Sequence, residues 1–419
     1  MSNQIYTTDC FEQLPELDAN SVHAVVTDPP YGLAFMGRSW DDFEPTEYQA
    51  WCERWASECL RVLKPGGHLL AFSGNRTHHR LMSGIEDAGF EIRDTITWHY
   101  GSGFPKALDV SKSIDKQADA EREVVGPSSL PDGTPHEYNI GYGEGEGYES
   151  KDHDRKNTEP ATEQAKQWDG FKSALKPATE FVCVARAPLA EDTIAENVVT
   201  HGTGALNIDG TRIESGERPN RSVSGDTDTN DMWHETATIG NGSEAIGTTT
   251  EGRYPSNVVF DEKQADVLDA EVGELDAGAS PAGSHAAADN SVYGEYDEQE
   301  NKRRRETDSG GPSRYFYTSK ASKAERTLDG KIDNAHPTVK PIDLMEWLVS
   351  LTTAKGQTVL DPFAGSGTTC KAAKHKNRQF IGIEQQAKWA DVARVRSGLP
   401  PVDHSHIRSD DAQHGLEQF

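Results

Sequence analysis

Thr358-Val-Leu-Asp361-Pro-Phe-Ala-Gly365-Ser-Gly367-Thr-Thr369 decides the reading of this chain. Two apolar residues, Val359 and Leu360, run into an acidic one, and a glycine-rich turn then opens a helix. The pattern is strand, tight loop, helix. Small residues let the backbone approach a ligand closely, and the carboxylate can take a sugar or an amine. One helix later Phe380-Ile-Gly-Ile-Glu384 repeats the theme and also ends in a carboxylate. Its distance from Asp361, a little over 20 residues, suits an acidic residue that takes a ribose in a nucleoside-binding βαβ unit. The loop lacks the Lys of a phosphate-binding P-loop and a full G-x-G-x-x-G. The expected ligand is therefore a nucleoside cofactor without an essential polyphosphate.

A second stretch says what such a cofactor is for. In Val22-His-Ala-Val-Val26-Thr27-Asp28-Pro29-Pro30-Tyr31 a β-branched run again stops at a carboxylate, now followed by two prolines and an aromatic ring. The prolines fix φ and remove two N–H donors, leaving local carbonyls free to accept. Asp28 and such a carbonyl form a two-acceptor clamp for an exocyclic NH₂, and Tyr31 offers a face for a planar ring. The site suits an amine on a flat heterocycle.

Together these stretches resemble the amino-group DNA methyltransferases that use S-adenosylmethionine. Asp28-Pro29-Pro30-Tyr31 looks like their catalytic motif and Asp361-Pro-Phe-Ala-Gly-Ser-Gly like their cofactor motif. The catalytic motif comes first, which matches the circularly permuted order of the family's beta group. The likeness covers roughly 1–105 and 312–398, with a bridge near 171–190. It implies a doubly wound, Rossmann-like α/β sheet with the nucleoside at the strands' C-terminal edge and an inserted target-recognition region. It implies cofactor contacts from Asp361, Phe363, Ala364, Gly365, Ser366, Gly367, Thr368 and Glu384. Asp9 and Cys10 would lie at the cofactor's adenine, although Asp9 also reads as a plain N-cap for a helix around Phe11–Leu17. His336, Thr338 and Lys340, in His336-Pro337-Thr338-Val-Lys340-Pro341, would lie beside its methionine part, or the segment is only a rigid helix entry.

The implied substrate is double-stranded DNA with the target base turned out of the stack. Adenine N6 is the first expectation, because relatives with Asp at the first motif position act mostly there. Cytosine N4 is the second, since the clamp fits either NH₂. Methylation of RNA or of protein glutamine, and a catalytically inactive DNA-binding regulator, are further readings. No Pro-Cys nucleophile occurs, which argues against attack through a cytosine ring carbon. No nuclease motif is visible, so the expectation is either a solitary or viral methylase or half of a restriction pair whose cognate restriction endonuclease is another chain.

The 419 residues suggest two or three domains and ample core. No long apolar run indicates a membrane span, and Met1-Ser-Asn-Gln-Ile-Tyr has no signal-peptide pattern. Five scattered cysteines (Cys10, Cys52, Cys59, Cys183, Cys370) form no C-x-x-C pair and no disulfide framework, so a reducing cytoplasm is expected. The charge is unusual: 42 Lys and Arg against 69 Asp and Glu give −27, although DNA is itself an anion. A host with molar cytoplasmic salt resolves this, because the screening length there falls to about 3 Å. Acidic insertions carrying the excess are the alternative.

Along the chain, residues 1–106 form the expected catalytic half of the core. Tyr48, Trp51, Cys52, Trp55, Cys59 and Val62 recur at helical spacing, Lys64-Pro-Gly-Gly67 ends that helix, and His68–Phe72 follows as a strand. Gly32–Pro45, with Arg38 and Trp40, reads as a loop over the site. His78 and His79 complete no metal-ligand set and read as solvated or helix-capping; no metal is expected. Glu91–Tyr100 is a strand, and Gly101–Lys106 a loop near the target base or a plain turn. Residues 107–170 are a polar insertion, with Gly141-Tyr-Gly-Glu-Gly-Glu-Gly147 suggesting partial disorder. Within 171–190, strand Phe181–Ala185 is expected to pair with 91–98. Residues 191–311 are expected to recognise the target, with Lys302-Arg-Arg-Arg305 a candidate phosphate contact or a solvated run. Residues 312–398 hold the cofactor half, with Pro341 opening a helix whose stripe is Leu344, Trp347, Leu348 and Leu351. The tail 399–419 reads as polar and mobile.

Overall fold

The computed structural model describes residues 3–33, 41, 43–101, 107–127, 156–216, 218–221, 245–277, 289–290, 294–295, 308–319, 323–330, 332, 334, 336 and 339–407. Among them nine strands form one twisted sheet: β1 (Gln4–Thr7), β2 (Val22–Thr27), β3 (Leu63–Ser73), β4 (Glu91–His99), β5 (Thr179–Arg186), β6 (Val258–Asp261), β7 (Tyr317–Ser319), β8 (Thr358–Asp361) and β9 (Gln379–Glu384). Their spatial order is β1-β9-β8-β2-β3-β5-β4-β6-β7. All neighbours are parallel except β5, which runs antiparallel to both β3 and β4. The fold is thus α/β with a large, mostly parallel sheet.

Parallel strands buried on both faces need continuous apolar runs, and the central strands supply them. Ala24, Val25, Val26, Leu69, Leu70, Val359 and Leu360 are buried. One face is covered by α2 (Pro45–Val62) and α3 (His78–Asp87), after a short α1 (Cys10–Gln13). Tyr48, Cys52, Trp55, Ala56, Cys59 and Val62 form the buried stripe of α2, so both of its cysteines are core residues. The other face is covered by α4 (Ile342–Thr352) and α5 (Thr368–His375), with α6 (Ala387–Arg396) beside them. Leu344, Trp347, Leu348 and Leu351 are buried along α4, as their spacing predicts. Pro341 is the N-cap of α4, one position earlier than expected.

The expected pairing of 181–185 with 91–98 is present, from Glu91↔Arg186 to His99↔Thr179. Residues 107–168 therefore leave and re-enter the sheet between two antiparallel neighbours. Their described part is folded. Buried Asp115 accepts from the backbone N–H groups of Ala161 and Thr162 at 2.9 and 3.0 Å and pairs with Arg122 at 2.5 Å. The glycine-rich 141–147 stretch lies outside the described residues.

Four expectations need correction. Lys64-Pro-Gly-Gly67 does not separate helix from strand: α2 ends at Val62 and β3 begins at Leu63. The irregularity is absorbed within the strand, where the register against β2 shifts between Val22 and Ala24 and Gly66 takes φ +75°. The sheet also reaches into the stretch expected to recognise the target, because Val258-Val-Phe pairs in parallel with Thr97–His99. The tail is packed against the core over 399–407: the N–H groups of Val402 and Asp403 bind Asp391 of α6, and Ile407 packs on Val392 and Ile332. His78 is half-buried and not simply solvated. Its ring stacks on Phe181 at 4.6 Å and its Nδ1 lies 2.6 Å from Ser73 Oγ.

Candidate active site

The two central strands β2 and β8 are parallel neighbours, with Val359 opposite Ala24 and Leu360 opposite Val25. Their C-terminal ends therefore deliver Asp28 and the glycine loop to the same edge. A cavity of about 1450 Å³ opens there. Asp28, Pro29, Pro30, Tyr31, Asp9, Cys10, His336, Lys340, Phe363, Gly365 and Glu384 all line it. Eleven of the expected site residues thus meet in one place although they come from distant parts of the chain.

The cavity has two ends of different chemistry. At one, the Glu384 carboxylate sits at the tip of β9. Its Oε2 accepts from the Gly365 N–H at 2.9 Å and its Oε1 from the Gln386 N–H at 2.8 Å. Burial raises its carboxyl above the ordinary range, against the pull of these two N–H groups. Asp9 Oδ1 accepts from the Phe11 N–H at 2.8 Å, so Asp9 is an N-cap and also a wall residue. The Cys10 thiol is pushed up to about 12 by burial and then by Asp9, which keeps it neutral. Trp51 and Phe363, with ring centroids 5.3 Å apart, and Phe11 complete an aromatic wall. Gly365 takes φ +51°, and a side chain there would meet the His336 ring at 3.2 Å.

At the other end four polar groups interlock. The Lys340 ammonium lies 2.6 Å from Asp28 Oδ2 and 3.4 Å from Glu180 Oε2. The Tyr31 hydroxyl lies 2.9 Å from Asp28 Oδ1 and 2.9 Å from Glu180 Oε2. Burial raises the Asp28 carboxyl, Lys340 opposes the rise and Glu180 adds to it. Burial also works against charge on Lys340, but the two carboxylates outweigh it and its pKa is raised. Tyr31 is pushed well above its ordinary value, by burial first and then by the same carboxylates. The arrangement is an ammonium held between two carboxylates, with Asp28 kept as an acceptor. Pro30's carbonyl accepts from the Tyr48 hydroxyl at 2.9 Å. Pro29 also lines the cavity.

The remaining expected residues stand behind the loop and not on the cavity wall. Asp361 is buried, and its Oδ1 accepts from the Thr27 hydroxyl at 2.7 Å and from the Phe363 N–H at 3.1 Å. Burial lifts its carboxyl to about 6. Ala364 donates its N–H to Ile383. Ser366 and Thr368 face Arg396, whose Nη1 donates to the Ser366 carbonyl at 2.7 Å and lies 3.0 Å from each hydroxyl. Gly367 takes φ +79° against Ala393. Thr338, like Arg38, Trp40, Ser102–Lys106 and Lys302–Arg305, lies outside the described residues. Sequence reasoning missed Glu180, Trp51 and the rim residues Trp98 and Tyr100. The carboxylate that opens strand β5 inside an otherwise apolar run was the available signal for Glu180.

A glycine loop, a carboxylate one strand further on, and a cluster of Asp28, Lys340, Glu180 and Tyr31 at the same sheet edge fit an α/β group-transfer enzyme of the nucleoside-cofactor type. The chain belongs to the N6_N4_Mtase family of DNA methylases, whose profile matches residues 22–394. It is similar to the Type II methyltransferase M.HindIII of Haemophilus influenzae, at 23% identity over 95% of this chain and 96% of that one. A shorter match, 31% identical over 27% of this chain and 37% of the relative, is to the Type II methyltransferase M.HpaI of Haemophilus parainfluenzae. Among solved structures, PvuII DNA methyltransferase (cytosine-N4-specific) aligns with a TM-score of 0.46 at 14% identity, covering 100% of this chain and 94% of that one. The M1.HpyAVI–SAM complex aligns at 0.37 and 17%, over 94% and 98%. Among the described residues no helix is long and apolar enough to cross a membrane, and no three potential metal ligands cluster.

Proposed function

We propose that this DNA methyltransferase moves a methyl group from S-adenosylmethionine to the N6 amine of an adenine flipped out of double-stranded DNA. One observation carries the reading: Asp28, Pro29 and Tyr31 share a cavity with Glu384, Gly365 and an aromatic wall. The residues present fit the cofactor. Glu384 can accept from ribose hydroxyls, Trp51, Phe11 and Phe363 form an apolar slot for a purine, and Gly365 lets the backbone come close. His336 closes the slot from above Gly365. S-adenosylmethionine would supply an electrophilic methyl group carried on a sulfonium.

This chain's own groups do the positioning. An exocyclic amine is a poor nucleophile because its lone pair is delocalised into the ring. Asp28 Oδ1 or Oδ2 and the Pro29 carbonyl accept its two N–H bonds, which favours a pyramidal nitrogen with its lone pair turned away from the clamp. Lys340 and Tyr31 hold Asp28 in that acceptor role. Fixed dipoles in a water-poor site then do work that bulk water would do only after reorganising. With the cofactor bound, the sulfonium–carbon bond would break as the nitrogen–carbon bond formed, and Asp28, already an acceptor for that amine, would take the proton the nitrogen loses and pass it to solvent.

Adenine is preferred because Asp stands first in the motif; the same clamp accepts the N4 amine of cytosine. The net charge of −27 supports a high-salt, cytoplasmic setting. Both points have one test: purified protein, S-adenosylmethionine and unmethylated plasmid DNA at about 2–3 M KCl and at about 0.1 M, with digested nucleosides identified by mass. N6-methyladenine formed mainly at high salt is the expected result. N4-methylcytosine would replace the target base and keep the mechanism. Activity confined to low salt would overturn the halophile reading.

A further inference from the structure

We propose that Leu175 enters the duplex and occupies the gap left when the target base turns out; this deepens the DNA-base reading above and rests on it. Asp28 retains only 18% side-chain exposure at the back of the cavity, so a paired base cannot reach it and must leave the stack. Extrusion leaves an unpaired partner and two unstacked neighbours, a cost that proteins offset by inserting an apolar side chain between base steps.

An exposed leucine by itself carries little weight; the place of this one carries more. Leu175 is 92% exposed, the highest value among the exposed large apolar side chains of the described residues. It nevertheless lines the same cavity as Asp28 and Tyr31, which puts it at the mouth. The segment that holds it is fixed before any ligand arrives. The Ser173 N–H donates to the Leu108 carbonyl at 3.0 Å, and the Leu108 N–H donates back to Ser173 Oγ at 2.7 Å. The Tyr100 N–H donates to the Ala178 carbonyl at 3.0 Å. Between these anchors Lys176 donates to the Gly101 carbonyl at 2.9 Å and Pro177 stiffens the backbone. A short segment tied at both ends presents its apolar tip with little entropy left to lose on binding. A leucine also has no donor or acceptor, so it can face whichever base is left unpaired.

The test uses the full chain and a duplex oligonucleotide carrying a site that the wild-type protein methylates in plasmid DNA. One version pairs the target base normally, and the other places it opposite an abasic position, where extrusion is already nearly free. Single-turnover methyl transfer is measured for wild type, Leu175→Ala and Leu175→Met, alongside melting temperature and cofactor binding to confirm that each variant is folded. Leu175→Ala is expected to slow transfer on the paired duplex by about tenfold or more and to match wild type within about twofold on the abasic duplex. Leu175→Met, similar in volume, is expected to stay near wild type on both. Equal slowing on both duplexes, or none on either, would overturn the wedge while leaving the methyltransferase reading intact. A wild-type protein that binds cofactor but methylates no DNA would remove that reading and the wedge with it.

Discussion

Replacing Lys340 with Met is the sharpest perturbation of the catalytic end. The ammonium lies 2.6 Å from Asp28 and 3.4 Å from Glu180. At an effective dielectric of about 20 and a charge separation of about 3–4 Å, each attraction is worth about 4–5 kcal/mol of Coulomb energy. Losing it removes the cation that opposes the rise of the Asp28 carboxyl and leaves Glu180, which adds to that rise. The acid limb belonging to Asp28 should therefore move to higher pH. A carboxyl that holds a proton is a poorer acceptor for an amine. The rate near neutral pH is therefore expected to fall by about 100-fold or more and to recover in part as the pH is raised. The assay is the initial rate of methyl transfer to unmethylated DNA from about pH 5 to about pH 10, at saturating cofactor. Lys340→Met combined with Glu180→Gln supplies the decisive comparison, because the second change removes one of the two stranded charges. Its acid limb should return toward wild type. If Lys340→Met leaves the limb where it was, or if the double variant shows no return, Lys340 does not hold Asp28 ionised.

Three further predictions follow from the cofactor end. Glu384→Gln should weaken S-adenosylmethionine binding by about tenfold or more by calorimetry, because an amide NH₂ must then face the N–H of Gly365 or Gln386; unchanged affinity would count against the ribose role. Gly367→Ala would bring a Cβ to 2.6 Å from the Ala393 Cβ at φ +79°, and should cost about 2–4 kcal/mol of stability, read as a lowered melting temperature. Asp361 has a folded value of about 6 against 3.8 for the free group. The unfolded chain therefore loses this proton first. The group's contribution to stability falls as pH rises from about 4 to about 6, and the deficit of about 3 kcal/mol persists above that. Asp361→Asn keeps an oxygen for Thr27 and Phe363, so its stability relative to wild type should improve across that window; denaturant midpoints at both ends that differ by a constant amount would contradict this.

What was legible in the sequence was local. Val22–Thr27 and Thr358–Asp361 declare themselves by β-branched or apolar runs stopped by carboxylates, and the structure keeps both as central strands. The spacing of Trp55, Cys59 and Val62 gave the buried stripe of α2. What was not legible depends on partners far along the chain. Ser366 and Thr368 belong to a ligand-type motif, but Arg396 on α6 lies against them and takes their oxygens. Lys340 was expected beside the cofactor, yet its ammonium reaches Asp28, 312 positions away, and Glu180 at the start of β5. Nothing in the local pattern around Glu180 fixes which way its side chain turns; the antiparallel register of β5 against β4, with Trp98 opposite Glu180, does.

The placement of the two halves also explains how the chain tolerates so much added material. The Thr27 hydroxyl donates to Asp361 at 2.7 Å across the β2–β8 pair, immediately before the two loops that form the cavity. The site is thus set by one parallel strand pair and one buried hydrogen bond. The long connections attach elsewhere, between β4 and β5 and again between β5 and β8. Closing a longer loop costs only about 0.6 kcal/mol for each doubling of its length, which two fully buried aliphatic side chains on the central strands more than offset. A segment inserted between Glu91–His99 and Thr179–Arg186 therefore leaves Asp28 and the glycine loop where they are, and its ends, near Tyr100 and Ala178, meet at the cavity mouth. Side chains there can vary without disturbing the Thr27–Asp361 contact that sets Asp28 and the glycine loop.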